Sequence, residues 1–208
     1  MIDDGLNYSL LTYIILAMER FSFTTTASTE RTFEDGTTVS ARKVEAKRPT
    51  PGPVAQHEAT HVIAAGKIVS ATIIPSGDAL GTTQPVKMTA AAAAAAEASG
   101  HDGTGWDMYL TEHILGVDPG VAKSAARIAL SGKEEELQEV ATMLQERGTI
   151  GQTDVKQARQ NVSDRNQGIF PIEVEIITPD GQRRSITTKS FRNEINIADL
   201  LEVSPKAA

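Results

Sequence analysis

Three prolines within Pro49-Thr50-Pro51-Gly52-Pro53 restrict this chain more than any other feature of its 208 residues. Proline fixes φ near about −65° and has no N–H to donate, so neither a regular helix nor a central strand can run through such a cluster. The segments on either side must therefore find their structure separately. Pro53 stands where a helix can begin, because the first helical position has no use for the missing N–H. From there to about Arg147 the pattern is mostly helical, whereas both ends of the chain read differently.

At the N-terminal end, the apolar stretch Tyr8–Met18 reads as a buried helix. It is shorter than the roughly 20 residues needed to span a bilayer. Asp3 and Asp4 precede it where a secretory signal has basic residues, and no small-residue cleavage site follows before Glu19 and Arg20. The expectation is no membrane span and a cytoplasmic location. Phe21–Val44 is rich in β-branched and alternating residues, and Asp35-Gly36 marks the turn of a β-ribbon. The C-terminal end repeats this texture. Phe170–Thr178 and Arg184–Lys189 flank Pro179-Asp180-Gly181-Gln182, a second hairpin signature, and Ala198–Leu201 offers one last turn.

In the central block, Val54–Lys67 is predicted as a helix and Ile68–Pro75 as a short strand, ended by Pro75 and the turn Ser76-Gly77-Asp78. Thr89–Ala98 is nearly pure alanine, the best helix former, and its small side chains let neighbouring backbones approach closely. Trp106–Leu115 resumes the helical pattern, and Asp118-Pro119-Gly120 punctuates it before Val121–Leu130. Lys133–Glu146 is amphipathic through Leu137, Val140, Met143 and Leu144, and Gly148 ends it. A further helix over Thr153–Val162 is predicted with Thr153 as its cap. Aromatic residues are only 4% of the chain, so the core must be built from Ala, Val, Ile and Leu, which favours closely spaced helices. The fold class expected is α+β, mainly α. Its parts are an N-terminal helix and β-ribbon extension (1–48), a helical core (54–165) and a C-terminal hairpin extension (169–208).

The absence of cysteine excludes a disulfide framework, a thiolate zinc cluster, an iron–sulfur site and a thiol nucleophile. Any metal must sit on nitrogen and oxygen. A net charge of −7 removes the electrostatic basis for general nucleic-acid binding. Within the first central helix lies His57-Glu58-Ala59-Thr60-His61, an HExxH pattern. Histidines at i and i+4 stand one above the other on a helical face, so both imidazoles can reach one ion. Glu58 follows His57 by about 100° of helical turn, which puts its carboxylate beside the ion instead of on it. There it can act as a general base toward water acidified by Zn2+, whose Lewis acidity lowers the water's pKa to about 7.

A tetrahedral catalytic zinc needs a third protein ligand. The extended pattern HExxHxxGxxH is absent, because Ala64 and Lys67 hold the glycine and histidine positions. The residues open to that role are Asp78, Glu97, His101, Asp102, Asp107, Glu112 and His113. Asp107 stands out because it follows the turn Gly103-Thr104-Gly105 at a helix start, where the helix dipole favours a carboxylate. Trp106, the only tryptophan, reads as a packing anchor beside the site, with a substrate platform as the alternative.

Val54–His61 (VAQHEATH) followed by Val69–Gln84 (VSATIIPSGDALGTTQ) resembles the peptidase domain of the FtsH-type AAA-linked zinc metalloproteases. That family has a HEAGH helix, then a strand ending in a TIIPRG-like turn and an ALG-T sequence. The corresponding residues here are His57, Glu58 and His61, then Thr72–Gly77 and Ala79–Thr82. Ala95-Ala96-Glu97 and Thr104-Gly105-Trp106-Asp107 resemble the elements that follow in the family. The resemblance covers roughly Val54 to Leu130. It implies His57, His61 and Asp107 as zinc ligands, with Asp102 as the competing third ligand, and Glu58 as the catalytic base. It also implies that Ile68–Ile74 is an edge strand on which a polypeptide substrate pairs, so that Ile73, Ile74 and Gly77 become substrate-binding residues. Thr60 replaces the usual glycine of the zinc helix, and a helical segment after the ALG-T strand is shorter.

No G-x-x-x-x-G-K-S/T phosphate loop occurs in the chain, although the family couples its peptidase to an ATPase. The expected function is a zinc metalloendopeptidase acting on peptides or unfolded polypeptides without its own motor. The alternative is a peptidase-like binding module of little or no activity. A separate ATPase acting in trans and self-association into a homo-oligomer are the partner expectations.

Overall fold

The computed structural model describes residues 20–22, 29–34, 36–44, 48–101, 105–191 and 194–196. Tyr8–Met18, Asp102 and Ala198–Leu201 lie outside the described residues. In chain order come strands β1 (Arg20–Ser22), β2 (Thr29–Thr32) and β3 (Thr38–Lys43), helix α1 (Pro53–Ala65), and strands β4 (Ile68–Thr72) and β5 (Thr82–Pro85). Helices α2 (Ala90–Ala93), α3 (Ala95–Ala98) and α4 (Gly105–Tyr109) lead into a π-helical turn, Leu110–Ile114. After α5 (Pro119–Leu130) and α6 (Glu134–Arg147) come β6 (Thr149–Gly151), α7 (Gln152–Asn166), β7 (Ile169–Ile177), β8 (Arg183–Phe191) and β9 (Glu194–Asn196). The architecture is α+β and mainly helical, with two small antiparallel sheets. No helix among the described residues is long and apolar enough to cross a membrane.

The chain forms two units, residues 47–163 and residues 1–46 together with 164–208. In the latter, the strands run in the order β1-β9-β8-β7-β3-β2. Both hairpins read from sequence are present, β2–β3 turning at Gly36 and β7–β8 at Gly181, each glycine with φ above 80°. Side chains alternate across a strand, so Val39 and Ala41 share a face with Ile172, Val174 and Ile176, and the five form a buried cluster. Register Val39↔Ile176 and Ala41↔Val174 joins the two ends of the chain, which the sequence presents as separate extensions. That pairing spans well over a hundred residues and leaves no local trace.

In the unit 47–163, α1 packs on α6. Ala55, Ala59 and Val62 meet Val140, Met143 and Leu144, with Ile68, Ala71, Ile150 and Val155 completing the cluster. Alanines on α1 let the helix axes come close. The proline segment before α1 is tied down by polar contacts. Arg48 bridges Glu139 (2.6 Å) and Glu146 (2.9 Å) of α6, and the Gly52 N–H donates to Gln145 Oε1 at 2.9 Å.

Three local expectations are corrected. Ile68–Ile74 does not supply an edge strand: β4 is the middle of the order β5-β4-β6, hydrogen-bonded on both sides, and the sheet's edges are β5 and β6. The alanine run forms two four-residue helices instead of one. Ala94 sits between them at φ −89° and ψ 6°, buried against Ala122 and Ala126. Thr153 is not a cap, because β6 runs directly into α7 at Gln152. Asp154 instead reaches back to accept the Gly151 N–H at 2.8 Å.

Candidate metal centre

Helix α1 sets His57 and His61 one turn apart on the face toward the alanine helices, with ring centroids 4.8 Å apart. Their Nε2 atoms are separated by 3.1 Å. Asp107, in the first turn of α4, brings Oδ2 to 3.4 Å from His57 Nε2 and 3.5 Å from His61 Nε2. Among the described residues open to the third-ligand role, Asp107 is the one that joins the two histidines in a group able to hold a metal ion. Asp78 and His101 line the same cleft, and Glu97 forms an ion pair with Lys123. Glu112 and His113 are exposed.

The donor set fits a small divalent ion. Bonds of about 2.0–2.2 Å at tetrahedral angles put ligand atoms about 3.3 Å apart. The three edges here are 3.1, 3.4 and 3.5 Å. Asp107 Oδ2 is also buried without a hydrogen-bond partner, a costly state that a cation would relieve. His61 is oriented from behind: its Nδ1 lies 2.6 Å from the Ala92 carbonyl oxygen, so Nδ1 donates and Nε2 presents its lone pair to the centre.

Electrostatics of the centre follow from burial and charge. Burial disfavours a charged His61, but the Asp107 carboxylate, the Ala92 carbonyl and Glu58 outweigh it and raise its pKa. For Asp107 burial is likewise opposed, and the two histidines hold its carboxyl well below the usual range. Glu58 is only 4% exposed. Its pKa is raised by that burial, against the hydrogen bond from Thr83 Oγ1 to its Oε2 at 2.7 Å and the nearby histidines.

These groups lie in a cleft of about 920 Å³. Thr83, Gly81 and the Ala92 carbonyl shape the site, and the sequence reading assigned none of them a role. Gly81 belongs to the ALG-T pattern and its reason is now physical: a Cβ there would stand 2.8 Å from Glu58 Oε1. A backbone carbonyl such as that of Ala92 carries no sequence signal at all. Ile73, Ile74 and Gly77 are not among the residues lining the cleft. Ile73 packs on the core, Ile74 is exposed, and Gly77 sits at φ 60° in the turn closed by the Ser76–Ala79 bridge. Trp106 is not a packing anchor either, since it is 61% exposed and lines the cleft. No family model, curated protein or solved structure matches the chain.

Proposed function

We propose that the chain is a zinc-dependent endopeptidase that hydrolyses peptide bonds in peptides or unfolded polypeptides. The observation that carries this reading is the meeting of His57, His61 and Asp107 in one cleft with the buried Glu58. His57 and His61 through Nε2, and Asp107 through Oδ2, would hold the zinc. When bound it supplies Lewis acidity, polarising a substrate carbonyl and lowering the pKa of water to about 7.

The chain's own residues do the rest. Glu58 accepts a proton from the attacking water and returns it to the departing amine nitrogen, a double duty suited to a carboxyl whose pKa burial has raised. Thr83 fixes the carboxylate by donating to Oε2, and Gly81 leaves the space it occupies. Ala92 holds the His61 ring in the tautomer that ligation requires.

The same reading keeps the likeness to FtsH-type peptidase domains, with a polypeptide as the partner in the cleft, and proposes cytoplasmic action. A separate ATPase and a homo-oligomer remain the partners to seek by co-purification and by light scattering. The deciding experiment is Glu58→Gln, read by cleavage of an unfolded polypeptide and by zinc content. Hydrolysis should vanish while zinc stays bound, and retained hydrolysis would overturn the assignment.

A further inference from the structure

Uncovered apolar surface bordering a cleft marks a place where a ligand can bind. Trp106 is 61% exposed and Leu80 66%, and both line the cleft that holds His57, His61, Asp107 and Glu58. They come from different elements, Trp106 from α4 and Leu80 from the connection between β4 and β5. The indole is held in place by stacking on Tyr109, with centroids 5.5 Å apart and planes inclined by 17°. A side chain ordered before binding loses little entropy when a ligand arrives. Among the described residues, the charged ones lining the cleft include Asp78, Glu58 and Asp107, and none is lysine or arginine. An acidic ligand side chain therefore meets repulsion, and an apolar one meets an uncovered apolar surface.

We infer that Trp106 and Leu80 form an apolar specificity subsite that selects polypeptide segments carrying a large apolar side chain next to the bond to be cut. The inference deepens the peptidase reading and rests on it for the cleavage step. Recognition of the side chain itself has a separate readout, because Trp106 is the only tryptophan and its emission reports directly on the subsite. Burying the indole under a ligand shifts that emission to shorter wavelength.

The test uses the full chain and three peptides that differ at one residue, Phe, Ala or Glu. Zinc-loaded protein should cleave the Phe peptide with a kcat/KM about tenfold to a hundredfold above that for Ala, with Glu lowest. Trp106→Ala and Leu80→Ala should each pull the Phe-to-Ala ratio toward one, and Trp106→Phe should keep it. Zinc content, measured in every variant, separates this effect from damage to the neighbouring Asp107. In Glu58→Gln protein, the Phe peptide should shift the Trp106 emission and the Glu peptide should not. Equal cleavage of all three peptides, or a ratio that persists in both alanine variants, overturns the subsite and leaves the peptidase reading intact. No cleavage together with a Phe-selective emission shift overturns the peptidase reading and supports the subsite, and no cleavage with no shift overturns both.

Discussion

The imidazole Nδ1 of His61 and the carbonyl oxygen of Ala92 are 2.6 Å apart, which couples the alanine helices to the candidate metal centre. The position of α2 depends on the tight contact around Ala94, Ala122 and Ala126. Ala94→Leu should overfill that contact and cost about 1–3 kcal/mol of stability. It should also weaken zinc binding about tenfold to a hundredfold by misplacing the carbonyl behind His61. Urea denaturation and a chelator competition assay read the two effects. Lost stability with unchanged zinc affinity would break the proposed coupling.

Asp107→Asn preserves shape and removes the negative charge from the triangle of donors. Zinc affinity should fall at least about tenfold, by loss of the charged ligand. Binding to the native state alone stabilises by about 2.7 kcal/mol at a hundredfold excess over Kd, so the wild-type chain should gain Tm with zinc and the variant should gain far less. Equal zinc-induced shifts in the two proteins would remove Asp107 from the centre.

Gly81→Ala places a methyl 2.8 Å from Glu58 Oε1 and 2.9 Å from both Glu58 Cγ and Val54 Cγ1. Glu58 is buried and must move to make room. Misplacement of a catalytic group by about 1 Å can cost about a hundredfold in rate, so kcat should fall steeply while zinc content stays near wild type. Steady-state kinetics with metal analysis gives the answer, and full activity in this variant would dissociate Gly81 from the proposed general base.

The raised pKa of His61 contributes to the pH dependence of the metal-free chain. A group whose folded pKa is raised contributes stability that is fully present below the unfolded value and is lost as pH rises through the folded value. Asp107 behaves oppositely, and its contribution is lost only in strong acid as pH falls through its lowered pKa. Zinc competes with the His61 proton, so affinity should rise with pH through the histidine range and binding should release protons. Calorimetry in buffers of different ionisation enthalpy measures that release, and an affinity flat from about pH 6 to about pH 8 would contradict the assignment.

Arg48→Ala should detach the proline segment from α6 by removing the bridges to Glu139 and Glu146. Glu139 keeps the amide of Asn161 at 2.8 Å and loses the Arg48 guanidinium. The expected cost is about 1–3 kcal/mol, below that of a fully buried pair because solvent reaches the guanidinium. Urea titration followed by circular dichroism provides the test, and an unchanged midpoint would show that the segment is held by other contacts.

Much of the local structure was legible in the residues. Pro53 starts α1, Gly148 ends α6 with φ 73°, and the turns at Gly36 and at Pro179-Asp180-Gly181-Gln182 lie between paired strands. The spacing of His57 and His61 put them on one helical face, and their i, i+4 separation needed no fold to be understood. What remained hidden was of longer range. The middle position of β4 depends on β6, whose Ile150 is opposite Ala71 although the two are far apart in the chain. Trp106 read as a packing anchor beside the site until its exposure was known.

Sequence alone determined the nitrogen and oxygen donor set, the pair of histidines on one helix and the adjacent glutamate, because these follow from composition and helical period. Tertiary structure decided that Asp107 joins them, that Ala92 orients His61 and Thr83 orients Glu58, and that Trp106 faces the cleft. Those relations are distances between elements brought together by packing, and no local propensity encodes them.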